Sequence, residues 1–220
     1  MSWSQIFYLV GNATLQTLFM VFFSAVFSVI LGLPLGVLMC VTDSVCNIMP
    51  MPVLNKVLNR IVDVLRSFPF LILMIILFPL SRLIIGTTIG TQATIVPLSI
   101  AAAPFVARII ETSLKGLDSG VIQAAKSMGS TNWQIITKVM LPECLPSLVD
   151  GFTLTVINLI GYSAMAGTVG GGGLGDLAIR YGYQRFRVDI LFVSVVVILI
   201  LVALIQMTGN MDSKALLKRR

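Results

Sequence analysis

Five stretches without a charged side chain, at 1–42, 67–81, 83–107, 151–175 and 190–211, restrict what this 220-residue chain can become. A helix that crosses a bilayer needs about 20 mostly apolar residues. In hydrocarbon every backbone N–H and C=O must be satisfied inside the fold, which leaves helices as the simple solution for such segments. With hydrophobic residues at 57% and charged residues at 11%, and a mean hydropathy of +0.99, an ordinary water-soluble domain is excluded. The sequence therefore predicts an all-α integral membrane protein with five transmembrane helices, near 13–41, 60–80, 93–114, 146–168 and 188–209. The second carries Asp63 and Arg66 in its first turns, at headgroup level. The third ends in Arg108, Glu111 and Lys115, spaced to form a local ion network at i, i+3 and i, i+4.

Orientation follows from the basic residues. No Lys or Arg precedes Lys56, so the N-terminus lacks a positive flank and is expected outside. Lys56, Arg60, Arg66, Lys115, Lys126, Lys138, Lys214, Lys218, Arg219 and Arg220 then lie inside, against Arg82, Arg180, Arg185 and Arg187 outside. Five spans with this skew give N-out and C-in. The calculated isoelectric point of 9.6 thus reflects topology, and no basic and aromatic array points to nucleic acid. The first apolar stretch is too long for a signal-peptide core and lacks a basic lead, so it is expected to stay as helix one.

Cys40, Cys46 and Cys144 all map to the inner side, where thiols stay reduced, and no structural disulfide is expected. The chain contains no histidine. Three scattered cysteines without it make a poor metal site, and the commonest general base is missing.

Asp43 to Asn55, with Pro50 and Pro52, reads as the first inner loop, and Gly86 to Gln92 as an outer turn. A second inner segment is more structured. Val121, Ile122, Ala125 and Met128 share one helical face, and Gly129 follows where a left-handed residue ends a helix most easily. Thr131 with Gln134 has the form of a capping box, opening a second short helix through Trp133, Ile136 and Met140. Leu141-Pro142 is expected to close it. The prediction is helix, bend, helix, with Trp133 near the bend as a candidate contact for a partner. A helix pair lying on the membrane surface is the other reading.

Gln123-Ala124-Ala125, then Gly129, then Val139-Met140-Leu141-Pro142 resembles the "EAA" loop of bacterial ABC-importer permeases, E-A-A-x3-G-x9-I-x-L-P. Gln123 replaces the usual Glu and Val139 the usual Ile. The resemblance implies that Gln123, Ala124, Ala125, Gly129, Trp133, Val139, Leu141 and Pro142 couple to an ATPase subunit, within a loop spanning 117–143. Further segments, Arg66-Ser-Phe-Pro-Phe70, Thr94-Ile-Val-Pro-Leu98, Ala102-Ala-Pro-Phe-Val-Ala-Arg108, Leu159-Ile-Gly-Tyr-Ser-Ala-Met165 and Gly171-Gly-Gly-Leu-Gly175, resemble in this order the permease subunit of bacterial methionine ABC importers.

That resemblance, from about Asn12 to Gly209, implies a type I importer core in the bacterial cytoplasmic membrane. Its parts would be a second copy of the chain, two ABC ATPase subunits carrying ATP and Mg, and an extracytoplasmic methionine-binding lipoprotein. This chain itself would hold no cofactor, metal or catalytic residue. The cargo would be L-methionine, with D-methionine a further candidate. Another amino acid or a small peptide is the alternative. An ion-coupled secondary transporter is the rival mechanism, but such proteins commonly bury ionisable groups deep in their spans, and here the deep spans hold essentially none.

Three further features belong to a single transmembrane domain expected over residues 1–220. Thr155, Asn158, Tyr162 and Met165, together with Gly151, fall on one face of helix four and must meet protein or water. That face fits either helix packing or a lining of the pathway and its gate. Gly171, Gly172, Gly173 and Gly175 lack the Lys and Ser/Thr of a phosphate loop. They suit a tight turn or the outer rim of the pathway. Pro97 and Pro104 are candidate kinks in helix three.

Overall fold

The structure, a computed structural model, describes residues 3–46 and 48–218, with only the backbone for Trp3. Of the inner loop and basic tail expected above, Asn47, Arg219 and Arg220 lie outside the described residues. Every regular element among the described residues is helical: α1 (Trp3–Thr42), α2 (Pro52–Ser67), α3 (Phe70–Ile85), α4 (Thr91–Lys115), α5 (Ser119–Ser127), α6 (Asn132–Gln134), α7 (Leu141–Ala166), α8 (Gly173–Leu177) and α9 (Val188–Leu217), with π turns at Ile135–Met140 and Ala178–Tyr183 and a 3-10 turn at Gly167–Val169. Four of the resulting helices are long and apolar enough to cross a bilayer, and α2 with α3 makes a fifth if the broken pair counts as one span.

The second span departs from the continuous helix expected at 60–80. Helix starts at Pro52, breaks after Ser67 and resumes at Phe70. Proline is harmless in the first helical turn, where its missing N–H has no intrahelical partner anyway, so Pro52 opens α2 instead of extending the loop. Pro69 ends it. The ring disfavours helical backbone at Phe68, and Pro69 itself is extended at φ −59° and ψ 125°.

The chain forms two compact units. One comprises Met1–Ser28, Phe68–Ala102 and Leu154–Met207. Its core holds Met20, Met74, Leu98, Leu159 and Ile160, with a second cluster around Ile6, Leu174 and Ile190. Here Thr17 Oγ1 accepts from Leu174 N at 2.9 Å and Gln16 Oε1 from Gly173 N at 3.0 Å, tying the glycine-rich segment to α1.

The other unit comprises Val29–Ser67, Ala103–Thr153 and Thr208–Arg220. Its core gathers Cys40, Val106, Ile110, Leu114, Ile122, Ile135 and Met140. Within it α1 approaches α4 through Gly32 and Gly36, a small-x-x-x-small pattern that lets helix backbones come close. A Cβ on Gly36 would lie 2.5 Å from Ala107 O and 2.8 Å from Ile110 Cβ. Because the obstacle is backbone, Gly36→Leu is expected to force the helices apart at a cost of about 1–3 kcal/mol or more. Thermal unfolding in detergent measures this, and an unchanged midpoint would contradict it.

One expectation is overturned in the same unit. Cys40 and Cys46 are joined as a disulfide, with Cα atoms 6.1 Å apart. Asp43 N donates to Cys40 O, and Asp43 Oδ1 accepts from Val45 N at 2.8 Å, so the chain turns back at once after α1. This local turn presents Cys46 to Cys40, a proximity that reasoning from compartment alone cannot foresee. Cys144 keeps its thiol, which donates to Ser113 O at 3.0 Å.

Candidate functional site

The inner segment folds as the local signals require. Asp118 caps α5 by accepting from Gly120 N at 2.9 Å, a cap that the sequence reading missed although Asp before a helical run is its usual mark. At the other end Ser130 N donates to Ala125 O and Gly129 N to Lys126 O, the paired bonds of a Schellman motif, with Gly129 at φ 75°. The capping box is present in full. Gln134 N donates to Thr131 Oγ1, and Thr131 N to Gln134 Oε1.

The residues of this segment differ in burial. Ile122 and Ala125 are buried in the core, while Gln123, Ala124, Gly129 and Pro142 are exposed and Val139 and Leu141 half-buried. Met128, expected on the inward stripe, is 79% exposed because it follows α5 as its C-cap and turns outward. Trp133 is 73% exposed and borders an apolar groove with Leu33, Val37, Ile136 and Leu141. An exposed rim of Val121, Ala124, Met128 and Trp133 stands on a buried base.

Leu141-Pro142 does not close the second helix. Helical backbone runs on from Asn132 to Val169. A π turn precedes the proline, with Leu141 N donating to Ile136 O, five residues back. The wider turn takes up the missing N–H and the bulk of the ring, as single π turns do inside helices.

Beside this segment lies a chain of ion pairs. Glu111, 1% exposed, accepts from Arg108 at 2.6 Å and Lys115 at 2.8 Å, as its spacing predicts. Two partners distant in sequence complete it: Asp63 with Arg108 at 2.6 Å and Asp43 with Lys115 at 2.6 Å. Asn59 Oδ1 also accepts from Arg108. Burial pushes the Asp43 carboxyl up, but the Lys115 ammonium and the Val45 N–H outweigh it and hold the group below the usual carboxylate value. The buried carboxylate of Glu111 is flanked by two cations within its own helix, which favours a structural role over ion transport.

On α7 the expected polar face is split. Thr155 is buried at 2% and Tyr162 stacks on Phe70 with ring centroids 4.5 Å apart. Asn158 and Met165 are exposed, in line with Leu154 and with Gly161, beside which a Cβ would meet nothing within 4 Å. The open stripe is therefore rotated toward Leu154, because Thr155 and Tyr162 are consumed by packing.

The glycine-rich segment forms a folded corner. Gly170, Gly172 and Gly173 have φ near 80°, and Gly90 N donates to Gly170 O at 3.0 Å. Positive φ at three positions is inexpensive only for glycine. Gly171 and Gly175 serve instead through close approach to the backbone of Ala166 and Ala164.

A family model described as "Binding-protein-dependent transport system inner membrane component" matches residues 32–210. The chain belongs to this family. A probable D-methionine transport system permease protein MetI of Pasteurella multocida is 50% identical over 206 residues, 94% of each chain. The methionine import system permease protein MetP of Bacillus subtilis is 46% identical over 165 residues, covering 75% of this chain and 74% of MetP. Among solved structures, a chain of the inward-facing MetNI methionine ABC transporter matches with a TM-score of 0.95 and 43% identity, over 98% of this chain and 99% of that one. A chain of an amino acid ABC transporter, at 18% identity and a TM-score of 0.77, shares the fold. The protein is accordingly a transporter permease subunit of the inner membrane and not an enzyme.

Proposed function

We propose that this permease carries methionine inward as one of two copies in an ATP-driven importer. Partner ATPase subunits bind ATP and Mg, an extracytoplasmic binding lipoprotein delivers the cargo, and the lipid bilayer surrounds the spans with the N-terminus out and the C-terminus in. Residues 117–143 form the docking loop. The observation that carries this reading is the exposed rim of α5 and α6 set on a buried base, since a rigid, capped helix pair can transmit the closure of a partner as a rigid-body push. The names of the relatives support methionine as the cargo. Gly171, Gly172, Gly173 and Gly175 contribute the outer rim.

The test is reconstitution in liposomes with the cognate ATPase and binding protein. ATP-dependent accumulation of labelled methionine is expected, and a clear preference for another amino acid or a peptide would replace the cargo. The α7 face is tested separately. Met165, 48% exposed, and Asn158 line the open stripe, with Thr155 and Tyr162 holding the helix behind it. Met165→Asp places a carboxylate where the carboxylate of a zwitterion must pass, so uptake is expected to fall about tenfold, the effect of roughly 1.4 kcal/mol of repulsion. Normal assembly with an unchanged uptake rate would make the stripe a packing surface.

A further inference from the structure

A polar cavity of about 500 Å³ opens among Gln16, Gly90–Thr91, Gly167–Gly172 and the segment from Asp176 to Gln184. Its size falls within the roughly 300–1,000 Å³ of small-molecule sites, but its chemistry is unusual for a membrane protein. Asp176, 4% exposed, pairs with Arg180, whose side chain is 62% exposed. The hydrogen bond from Arg180 to Asp176 raises the guanidinium pKa further, so Arg180 is permanently charged. One acid and one base thus stand side by side on the wall, with the amides of Gln16 and Gln184 and the hydroxyl of Thr168 around them and the apolar side chains of Ile89 and Ile179 at the edge.

We propose that this cavity is a transient binding site for a zwitterionic amino acid on its way into the permease, with Arg180 taking the carboxylate, Asp176 the ammonium, and Ile89 and Ile179 the side chain. The proposal deepens the reading above and rests on it for the class of cargo. Guanidinium offers five donors in a fork that matches a carboxylate, and only part of that capacity is spent on Asp176. The second carboxylate oxygen of Asp176 is the complementary acceptor for an ammonium. Because Arg180 and Asp176 already compensate each other, neither presents an uncompensated charge, and a zwitterion that joins the pair gains little. Weak holding is what a conveying site requires, since a ligand that enters must also leave.

The experiment uses the permease–ATPase complex in lipid nanodiscs, without the delivery protein, and labelled L-methionine. Saturable binding is expected, weakened about tenfold or more by Arg180→Gln and partly restored by Arg180→Lys, as loss of a charge-assisted bidentate contact requires. Methionine amide and N-acetylmethionine, each lacking one charge, are expected to compete poorly. Ile179→Trp, which fills the cavity from its edge, provides a second variant and is expected to abolish binding while the complex still assembles. Equal binding by the wild type, Arg180→Gln and Ile179→Trp, or no saturable binding by the wild type, overturns the site. So does a variant that loses only docking of the delivery protein, added back in a separate binding assay, while its methionine binding is unchanged. Uptake by the wild-type complex in liposomes, measured on the same preparation, separates the two readings. Uptake without binding at this cavity removes the site and leaves the transport function, whereas absence of methionine uptake removes both.

Discussion

Gly129→Val is expected to uncouple the permease from its ATPase while leaving the membrane-embedded part folded. Gly129 has φ 75°, and a Cβ placed on it would meet nothing within 4 Å, so no steric clash with the rest of the protein contributes. The penalty is purely conformational. A β-branched residue is strongly disfavoured in the left-handed region, and holding it there costs about 1–3 kcal/mol. The chain can avoid that cost by losing the two Schellman bonds, Ser130 N to Ala125 O and Gly129 N to Lys126 O, and with them the bend between α5 and α6. ATP-driven uptake in liposomes should then fall about tenfold or more, in proportion to the fraction of loops out of the docking geometry. Gly129→Asn is the internal control, because Asn tolerates this conformation, and it should retain most of the activity. Equal, undiminished uptake by both variants would show that the bend is not used in coupling.

Glu111→Ala should be the most damaging single change among the ionisable residues. Glu111 is 1% exposed and accepts from both Arg108 and Lys115. Removing one member of a buried ion cluster leaves its partners desolvated and costs about 3–5 kcal/mol. The lower part of that range applies here, since Arg108 keeps Asp63 and Lys115 keeps Asp43. Asp63→Ala makes the comparison. Its side chain is 55% exposed, and loss of an exposed pair is worth about 0–1 kcal/mol. Thermal unfolding in detergent should therefore separate the two variants widely, and similar midpoints would refute the assignment of Glu111 as the hub.

Much of the candidate site was legible because its signals are local. Gly129 at a left-handed position, the Thr131–Gln134 capping box and the Arg108–Glu111–Lys115 spacing each depend on residues within one or two turns of each other. They fold as the sequence predicts. Errors arose where a local rule had two solutions. Pro142 has the local mark of a stop, yet the π turn before it lets the helix continue. Pro52 has the local mark of a loop, yet it opens α2. Met128 fits the apolar period of α5 but follows its last residue, so periodicity alone put it on the wrong side.

From the sequence alone followed the membrane-spanning class, the long apolar helices and the capped α5–α6 segment, because charge-free length, caps and glycine conformations are properties of contiguous residues. Tertiary structure alone decided the rest: the closure of Cys40 onto Cys46, the partners Asp43 and Asp63 of the ion network, the rotation of the open α7 stripe toward Leu154, and the cavity in which Asp176 faces Arg180. Each depends on which side chains are used up by packing against segments far away in the chain, and helical periodicity gives the direction of a side chain without the identity of what it meets.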